Sequence, residues 1–250
     1  SVEVHLSNGL PGLTLVGLPE TTVKEARDRV RSAIINSGYT FPAKKITINL
    51  APADLPKEGG RYDLPIAIAL LTASEQLNAP RLSTYEFVGE LALTGALRGV
   101  PGAISGALAA LQAGREIIVA AENASEVSLI EKKGCLIANH LQEVCAFLEG
   151  RHELAEPEEN RLVVSDSLDD LSDIIGQDQG KRALEITAAG GHNLLLIGPP
   201  GTGKTMLASR LNGLLPPLNN QEALESAAII SLANSASLKK QWKRRPFRSP

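Results

Sequence analysis

Residues Gly198-Pro199-Pro200-Gly201-Thr202-Gly203-Lys204-Thr205 constrain what this 250-residue chain can fold into more than any other stretch. They fit G-x-x-x-x-G-K-S/T, a phosphate-cradling loop that needs a strand before it and a helix behind it. Asn193-Leu194-Leu195-Leu196-Ile197 is apolar and closed off by Gly198, which predicts a short buried strand. From Lys204 to Leu215, the residues Met206, Leu207, Leu211, Leu214 and Leu215 share one broad face, and Pro216-Pro217 ends the predicted helix. Glycines let the backbone curl around a phosphate, so that its N–H groups and the helix N-terminus point at the anion. Lys204 then reaches toward β- and γ-phosphates, and the Thr205 hydroxyl toward Mg²⁺. Gly198 to Thr205 and the adjoining Met206 form the expected nucleotide contact. The bland reading is a glycine loop that merely joins a strand to a helix.

Hydrophobic residues make up 43% of the chain and aromatics only 3%, so the core must be aliphatic. A net charge of −3 argues against an overall attraction to polyanions or membrane surfaces. No apolar run approaches the roughly eighteen residues of a membrane span, and no signal peptide is visible. Cys135 and Cys145 lack metal-ligand spacing and read as free thiols of a cytoplasmic protein.

The loop also needs an acidic metal-binding residue on a second strand. After Thr205 the acidic residues are Glu222 and Glu225, and neither follows an apolar strand. The chain begins at Ser1, its single Met being Met206. The expectation is a piece of a longer protein with a truncated nucleotide-binding domain, unable to hydrolyse nucleotide on its own.

Upstream the pattern is an α/β alternation. Val2, Val4 and Leu6 mark a strand, Asn8-Gly9 and Pro11-Gly12 a turn, and Leu13 to Val16 a returning strand. Thr22 and Glu25 are spaced as a capping box for a helix whose face is Val23, Ala26, Val30, Ala33 and Ile34. Ile46, Ile48 and Leu50 give the next strand, and Asp63 reads as the cap of a helix with Pro65 in its first turn, running to about Leu77. Strands are predicted over Tyr85–Leu93, at Ile117–Ala120 and at Leu136–Ala138, and helices over Ala103–Gln112, Ser125–Lys132 and Leu141–Leu148. From Glu153 to Asp173 eight acidic residues face one basic residue, Arg161. This divides the chain into a domain at 1–150, an acidic linker at 151–171 and a second domain at 172–250.

The lead-in Asp173-Ile174-Ile175-Gly176-Gln177, followed by a helix and the loop strand, resembles the start of an AAA+ module. Gly190-Gly191-His192-Asn193-Leu194-Leu195-Leu196 and Arg245-Pro246-Phe247-Arg248-Ser249-Pro250 are similar to the magnesium-chelatase-like branch. Within that branch the whole chain resembles the ComM/YifB competence-protein family. The resemblance implies that Ile175 and Gly176 pack on the adenine of ATP. It also implies a cytoplasmic, ring-forming ATPase, a hexamer, that uses Mg²⁺ and acts in natural transformation as a DNA branch-migration helicase. The alternative is a chelatase-type or regulatory AAA+ subunit that remodels a protein partner without touching DNA.

Residues 1–150 resemble the protease domain of Lon as well, which implies a ribosomal-S5-domain-2-like α/β fold. Pro56-Lys57-Glu58-Gly59-Gly60-Arg61-Tyr62-Asp63 matches that family's serine loop, with Arg61 where the nucleophile belongs. The partner lysine falls near Ile104-Ser105, and no lysine occurs from Glu58 to Glu131. A Ser-Lys dyad needs an amine beside the hydroxyl to take its proton, so peptide hydrolysis is not expected. Lys57, Glu58, Arg61 and Asp63 either form some other site or are a polar loop with Asp63 as the helix cap.

Lys239, Lys240, Lys243, Arg244, Arg245 and Arg248 place six positive charges in ten residues, with Trp242 and Phe247 among them. They are a candidate contact for branched or single-stranded DNA, through phosphate attraction and base stacking, or else a solvated basic run. His5, His140, His152 and His192 show no ligand spacing.

Overall fold

The structure is a computed structural model that describes residues 1–17, 21–54, 57, 59–130, 133–158, 170–234 and 238–246. The side chains of residues 21–24, 234, 239 and 240 lie outside that description. The chain divides into two compact units, Ser1–Asn160 with Ser231–Ser235 and Arg161–Ile230 with Ala236–Pro250. The first is a mixed α/β unit, and the described residues of the second are helices and loops.

The first unit opens with β1 (Val2–Ser7), β2 (Gly12–Val16), α1 (Thr21–Asn36) and β3 (Lys45–Leu50). The expected capping box of α1 falls on Thr22, whose side chain is outside the description. β2 does not return along β1 as the turn residues suggest. β3 lies between them, antiparallel to β1 (Val2 opposite Leu50, Ser7 opposite Lys45) and parallel to β2 (Gly12 opposite Lys45, Val16 opposite Asn49). The reason is burial. Ile46, Ile48 and Leu50 of β3 are fully buried, whereas β1 and β2 alternate between half-buried and exposed residues. The central position pairs both edges of the most buried strand and leaves the more exposed strands outside. Gly17 closes this arrangement: its φ is +98°, and a Cβ there would collide with the Leu50 carbonyl.

α2 (Asp63–Ala73) is apolar on every side, with Leu64, Ile66, Ala67, Ile68, Leu70 and Leu71 all buried. A helix of that kind belongs inside a core. It packs against β1, α1 and β4 (Tyr85–Val88). The strand expected to run to Leu93 breaks at Gly89, whose N–H donates to the Arg61 carbonyl and whose own carbonyl accepts from Leu64 N–H. Beyond the break, β5 (Glu90–Leu91) pairs with β6 (Leu97–Arg98) as a short hairpin.

α3 (Ala103–Gln112), β7 (Glu116–Ala120), α4 (Ala124–Val127), β8 (Cys135–Ala138) and α5 (Leu141–Leu148) complete the alternation. β4, β7 and β8 form a parallel sheet with β7 in the middle. Ile117, Ile118, Val119 and Ala120 are all buried, the near-continuous apolar run expected of a strand covered on both faces. Leu154 packs on the core and the Ala155 carbonyl accepts from Ile137 N–H at 2.9 Å, so the acidic stretch stays attached to this unit that far. Residues 159–169 of the expected linker lie outside the described residues, and its last residue, Leu171, packs on the core of the second unit.

Cys135 and Cys145 are free and buried. Burial pushes each thiol up to about 11. On the order of one thiol in a thousand is then ionised at pH 8. Both cysteines are therefore expected to resist an aromatic disulfide reagent in native buffer and to react together in denaturant, as followed by absorbance. Rapid native labelling of either would contradict the placement.

After the acidic stretch α6 (Asp178–Gly190), α7 (Lys204–Leu214), α8 (Asn220–Asn234) and α9 (Leu238–Gln241) follow in order, all in the second unit except the last residues of α8. Gly191 ends α6 in the left-handed conformation. Ile174, Leu184 and Leu207 form a small core, with Leu171, Leu196, Leu211 and Leu214 packed on it. The strand expected at Asn193–Ile197 is absent. Leu195 is 79% and Ile197 86% exposed, and only Leu196 of the run joins the core. No strand occurs among the described residues of this unit, so the run has no ladder to join. A lone extended segment cannot bury its backbone groups. No helix among the described residues is long and apolar enough to cross a membrane.

Candidate nucleotide site

The loop from Gly198 to Gly203 turns directly into α7. Gly201 and Gly203 take φ of +81° and +79°, a region that side chains with a Cβ rarely enter, and Gly203 is the residue that precedes α7. The first N–H groups of any helix lack partners inside it. Here no side chain caps them, so the start of α7 presents open donors and a positive dipole end.

Lys204 folds back across the loop. Its Nζ donates to the carbonyls of Gly198 at 2.8 Å and Pro199 at 2.7 Å and lies 3.4 Å from the Thr202 hydroxyl. Thr202 Oγ1 donates in turn to the Pro199 carbonyl at 2.9 Å. The ammonium thus spans the mouth of the loop, where an incoming anion would draw it off these carbonyls. Thr205 and Met206 lie in the first turn of α7, and Met206 is 42% exposed.

Ile175 and Gly176 form the turn before α6. Ile175 is 98% exposed, an apolar side chain entirely in solvent. Gly176 and Gln177 both have positive φ, +71° and +59°. Gln177 Nε2 donates to the Thr202 carbonyl at 3.3 Å and ties this turn to the loop. The structure therefore joins the loop to the residue that follows Gly176, while Ile175 itself stands in solvent. Sequence reasoning missed Gln177; its place between a turn glycine and the first helical residue, Asp178, was the available signal. Arg210 of α7 reaches Asp173 Oδ2 at 3.3 Å and fixes the other end of the lead-in.

Glu222 and Glu225 are engaged in local hydrogen bonds of α8. Glu222 accepts from Asn219 N–H while Asn219 Oδ1 accepts from Glu222 N–H, a reciprocal cap for α8, and Glu225 accepts from Gln221. No cluster of three or more His, Cys, Asp and Glu able to hold a metal occurs among the described residues. His140 caps α5 by accepting from Gln142 N–H.

The basic tail is partly engaged in the fold. Arg245 Nε donates to the Pro216 carbonyl at 3.0 Å, and Asn212 donates to the Arg245 carbonyl at 3.0 Å. Lys243 takes a positive φ of +60°, and its carbonyl accepts from Leu218 N–H. Trp242, Lys243 and Arg244 are half-buried. The side chains of Lys239 and Lys240, and residues Phe247 and Arg248, lie outside the description.

In the first unit, Asp63 is not a helix cap: it makes no capping hydrogen bond, and Tyr62 precedes the helix. Its carboxylate is fully buried and takes a two-pronged bond from Arg29 of α1, at 2.7 and 3.1 Å, plus Leu91 N–H at 3.2 Å. Burial pushes this carboxyl up, against the pull of the guanidinium and the amide. The residue joins α1, α2 and β5, which a local reading of Asp-Leu-Pro could not reveal. Lys57 is buried with its ammonium on the Pro52 carbonyl, and Arg61 donates to the Pro101 carbonyl at 3.0 Å. Ser105 is exposed on α3, and Glu58 lies outside the described residues.

With this geometry in place, the comparisons define the class. Residues 2–123 match the family model described as subunit ChlI of Mg-chelatase, and residues 170–250 match that of magnesium chelatase, subunit ChlI. The chain is a magnesium-chelatase-type AAA+ family member. The protein YifB of Salmonella typhimurium is 76% identical over 250 residues, all of this chain and 49% of that protein. Competence protein ComM of Haemophilus influenzae is 56% identical over 257 residues, again all of this chain and 50% of its own length. A Mycobacterium tuberculosis relative is 42% identical over 237 residues, 94% of this chain and 47% of the relative. The chain belongs to the ComM/YifB family, and it spans about half the length of the curated relatives it matches.

Proposed function

We propose that residues 198–206, with Ile175 and Gly176, bind the phosphates and base of ATP in a longer AAA+ protein. There the β- and γ-phosphates take over the Lys204 ammonium from the loop carbonyls. The Thr205 hydroxyl joins Mg²⁺, and Ile175 covers the adenine. The observation that carries this reading is the Lys204 bridge across a loop of positive-φ glycines at an uncapped helix start.

Residues 1–150 would be a Lon-like, ribosomal-S5-domain-2-type domain without peptidase chemistry, residues 151–171 the acidic linker and 172–250 the first part of the AAA+ domain. Lys57 and Arg61 spend their cationic groups on backbone carbonyls, as structural residues do. The complete protein would be a cytoplasmic hexameric ring that moves branched DNA in natural transformation, in keeping with the competence protein among its relatives. This half alone would not turn over ATP, because the acid that holds Mg²⁺ and orients water has no counterpart in Glu222 or Glu225. A second reading, a chelatase-type or regulatory subunit acting on a protein, is favoured by the description carried by both family models.

The test is ATP hydrolysis by the full-length protein with and without branched and single-stranded DNA. The DNA-motor reading expects stimulation by several-fold or more, with strand displacement on a branched substrate. An ATPase indifferent to DNA would favour the second reading.

A further inference from the structure

On the first unit a pocket of about 340 Å³ lies between the start of β2, the exposed face of α1 and the segment entering β3. Its walls include Arg27, Arg31, Phe41 and Lys44, with no acidic residue among its lining. This runs against the local charge, since residues 1–150 carry 16 Asp and Glu against 13 Lys and Arg. Arg27 and Arg31 are four residues apart on α1 and so project from one face. The Arg31 guanidinium lies 5.1 Å from the centre of the Phe41 ring. Arg27 has an ion pair of 3.6 Å with Asp28, but the two side chains are 59% and 83% exposed, and such a pair holds its cation weakly. Lys44 is exposed and its carbonyl accepts from Gly12 N–H at 3.4 Å, tying the two walls of the pocket together.

We propose that this pocket is a binding site for single-stranded nucleic acid, one nucleotide deep, distinct from the basic tail. For the class of its partner it rests on the DNA reading above. Three cations around a half-buried aromatic suit a chain of phosphates carrying planar bases. The phosphates sit between Arg27, Arg31 and Lys44, and a base stacks on the Arg31–Phe41 pair. The volume is at the small end of ligand clefts, roughly 300–1,000 Å³. It admits an unpaired nucleotide and excludes a duplex. An acidic peptide would satisfy the cations but leave the stacking pair unused.

The experiment measures binding of a fluorescein-labelled oligothymidylate to full-length protein by anisotropy over a range of salt. Wild type is compared with Arg27→Gln/Arg31→Gln/Lys44→Gln, three exposed positions whose exchange leaves the core intact. Each phosphate contact on a single strand contributes roughly 0.7 to the slope of log affinity against log salt, so the variant should lose about 2 from that slope. Its affinity should fall by about tenfold or more. A second measurement crosslinks bromodeoxyuridine-substituted oligonucleotide and maps the adduct, expected between residues 27 and 46. Unchanged affinity and slope in the triple variant, with wild type binding well, overturns this site and leaves the DNA reading standing. Absence of any DNA binding by wild type overturns both. Competition by polyglutamate as effective as unlabelled oligothymidylate overturns the nucleic-acid assignment.

Discussion

Lys204→Ala in the full-length protein should abolish ATP hydrolysis, lowering turnover by about 10²- to 10³-fold, the scale on which a single stabiliser of developing charge acts. The lysine is half-buried and bonds to its own loop, at Gly198, Pro199 and Thr202, so its removal strips a charge from the site and leaves the α6–α7 core of Ile174, Leu184 and Leu207 intact. Steady-state phosphate release measures the loss, and circular dichroism reports the preserved fold. Turnover within a factor of two of wild type would show that this loop does not hold the reacting phosphates. The glycines make a companion case. A side chain at Gly203 meets open space, so Gly203→Ala harms through its φ of +79° and not through a clash. The damage should therefore be smaller than that of the lysine.

Arg29→Ala should strongly destabilise the first unit. Asp63 is fully buried, and Arg29 supplies two of the three hydrogen bonds it receives among the described residues. Removing one partner of a buried pair leaves an uncompensated charge and costs about 3 kcal/mol or more. For a unit of this size that lowers the thermal midpoint by roughly 10 °C. The double change Arg29→Met/Asp63→Leu should recover most of the loss, because an apolar pair of similar volume needs no charge compensation. Thermal denaturation of the two variants decides it. If Arg29→Ala melts within a degree of wild type, Asp63 takes its compensation elsewhere and the link among α1, α2 and β5 is not what holds them.

How much of this was legible in the sequence differs from element to element. α3 and α5 appear where the sequence predicts them, at Ala103–Gln112 and Leu141–Leu148, and the His140 cap of α5 emerges only in the structure. β7 is recognisable because four successive apolar residues, Ile117 to Ala120, admit little else. The loop at 198–205 was legible for the same reason: its glycines, lysine and threonine act through backbone geometry within eight residues. These features are local, so the chain states them directly. Strand order was not legible. Nothing between Ser7 and Gly12 says that a strand thirty residues onward will insert between β1 and β2, since that choice belongs to the total burial of Ile46, Ile48 and Leu50. The role of Asp63 was likewise hidden, because its partner Arg29 is 34 residues away and the helix-cap reading satisfied every local rule. Asn193–Ile197 shows the converse. An apolar run predicts a strand, but a strand exists only when a neighbour offers its hydrogen bonds, and tertiary structure supplies none to Leu195 or Ile197 among the described residues. The sequence by itself determined which segments bend, cradle or bury. The tertiary structure decided which of them meet, because pairing and charge compensation depend on residues far apart in the chain.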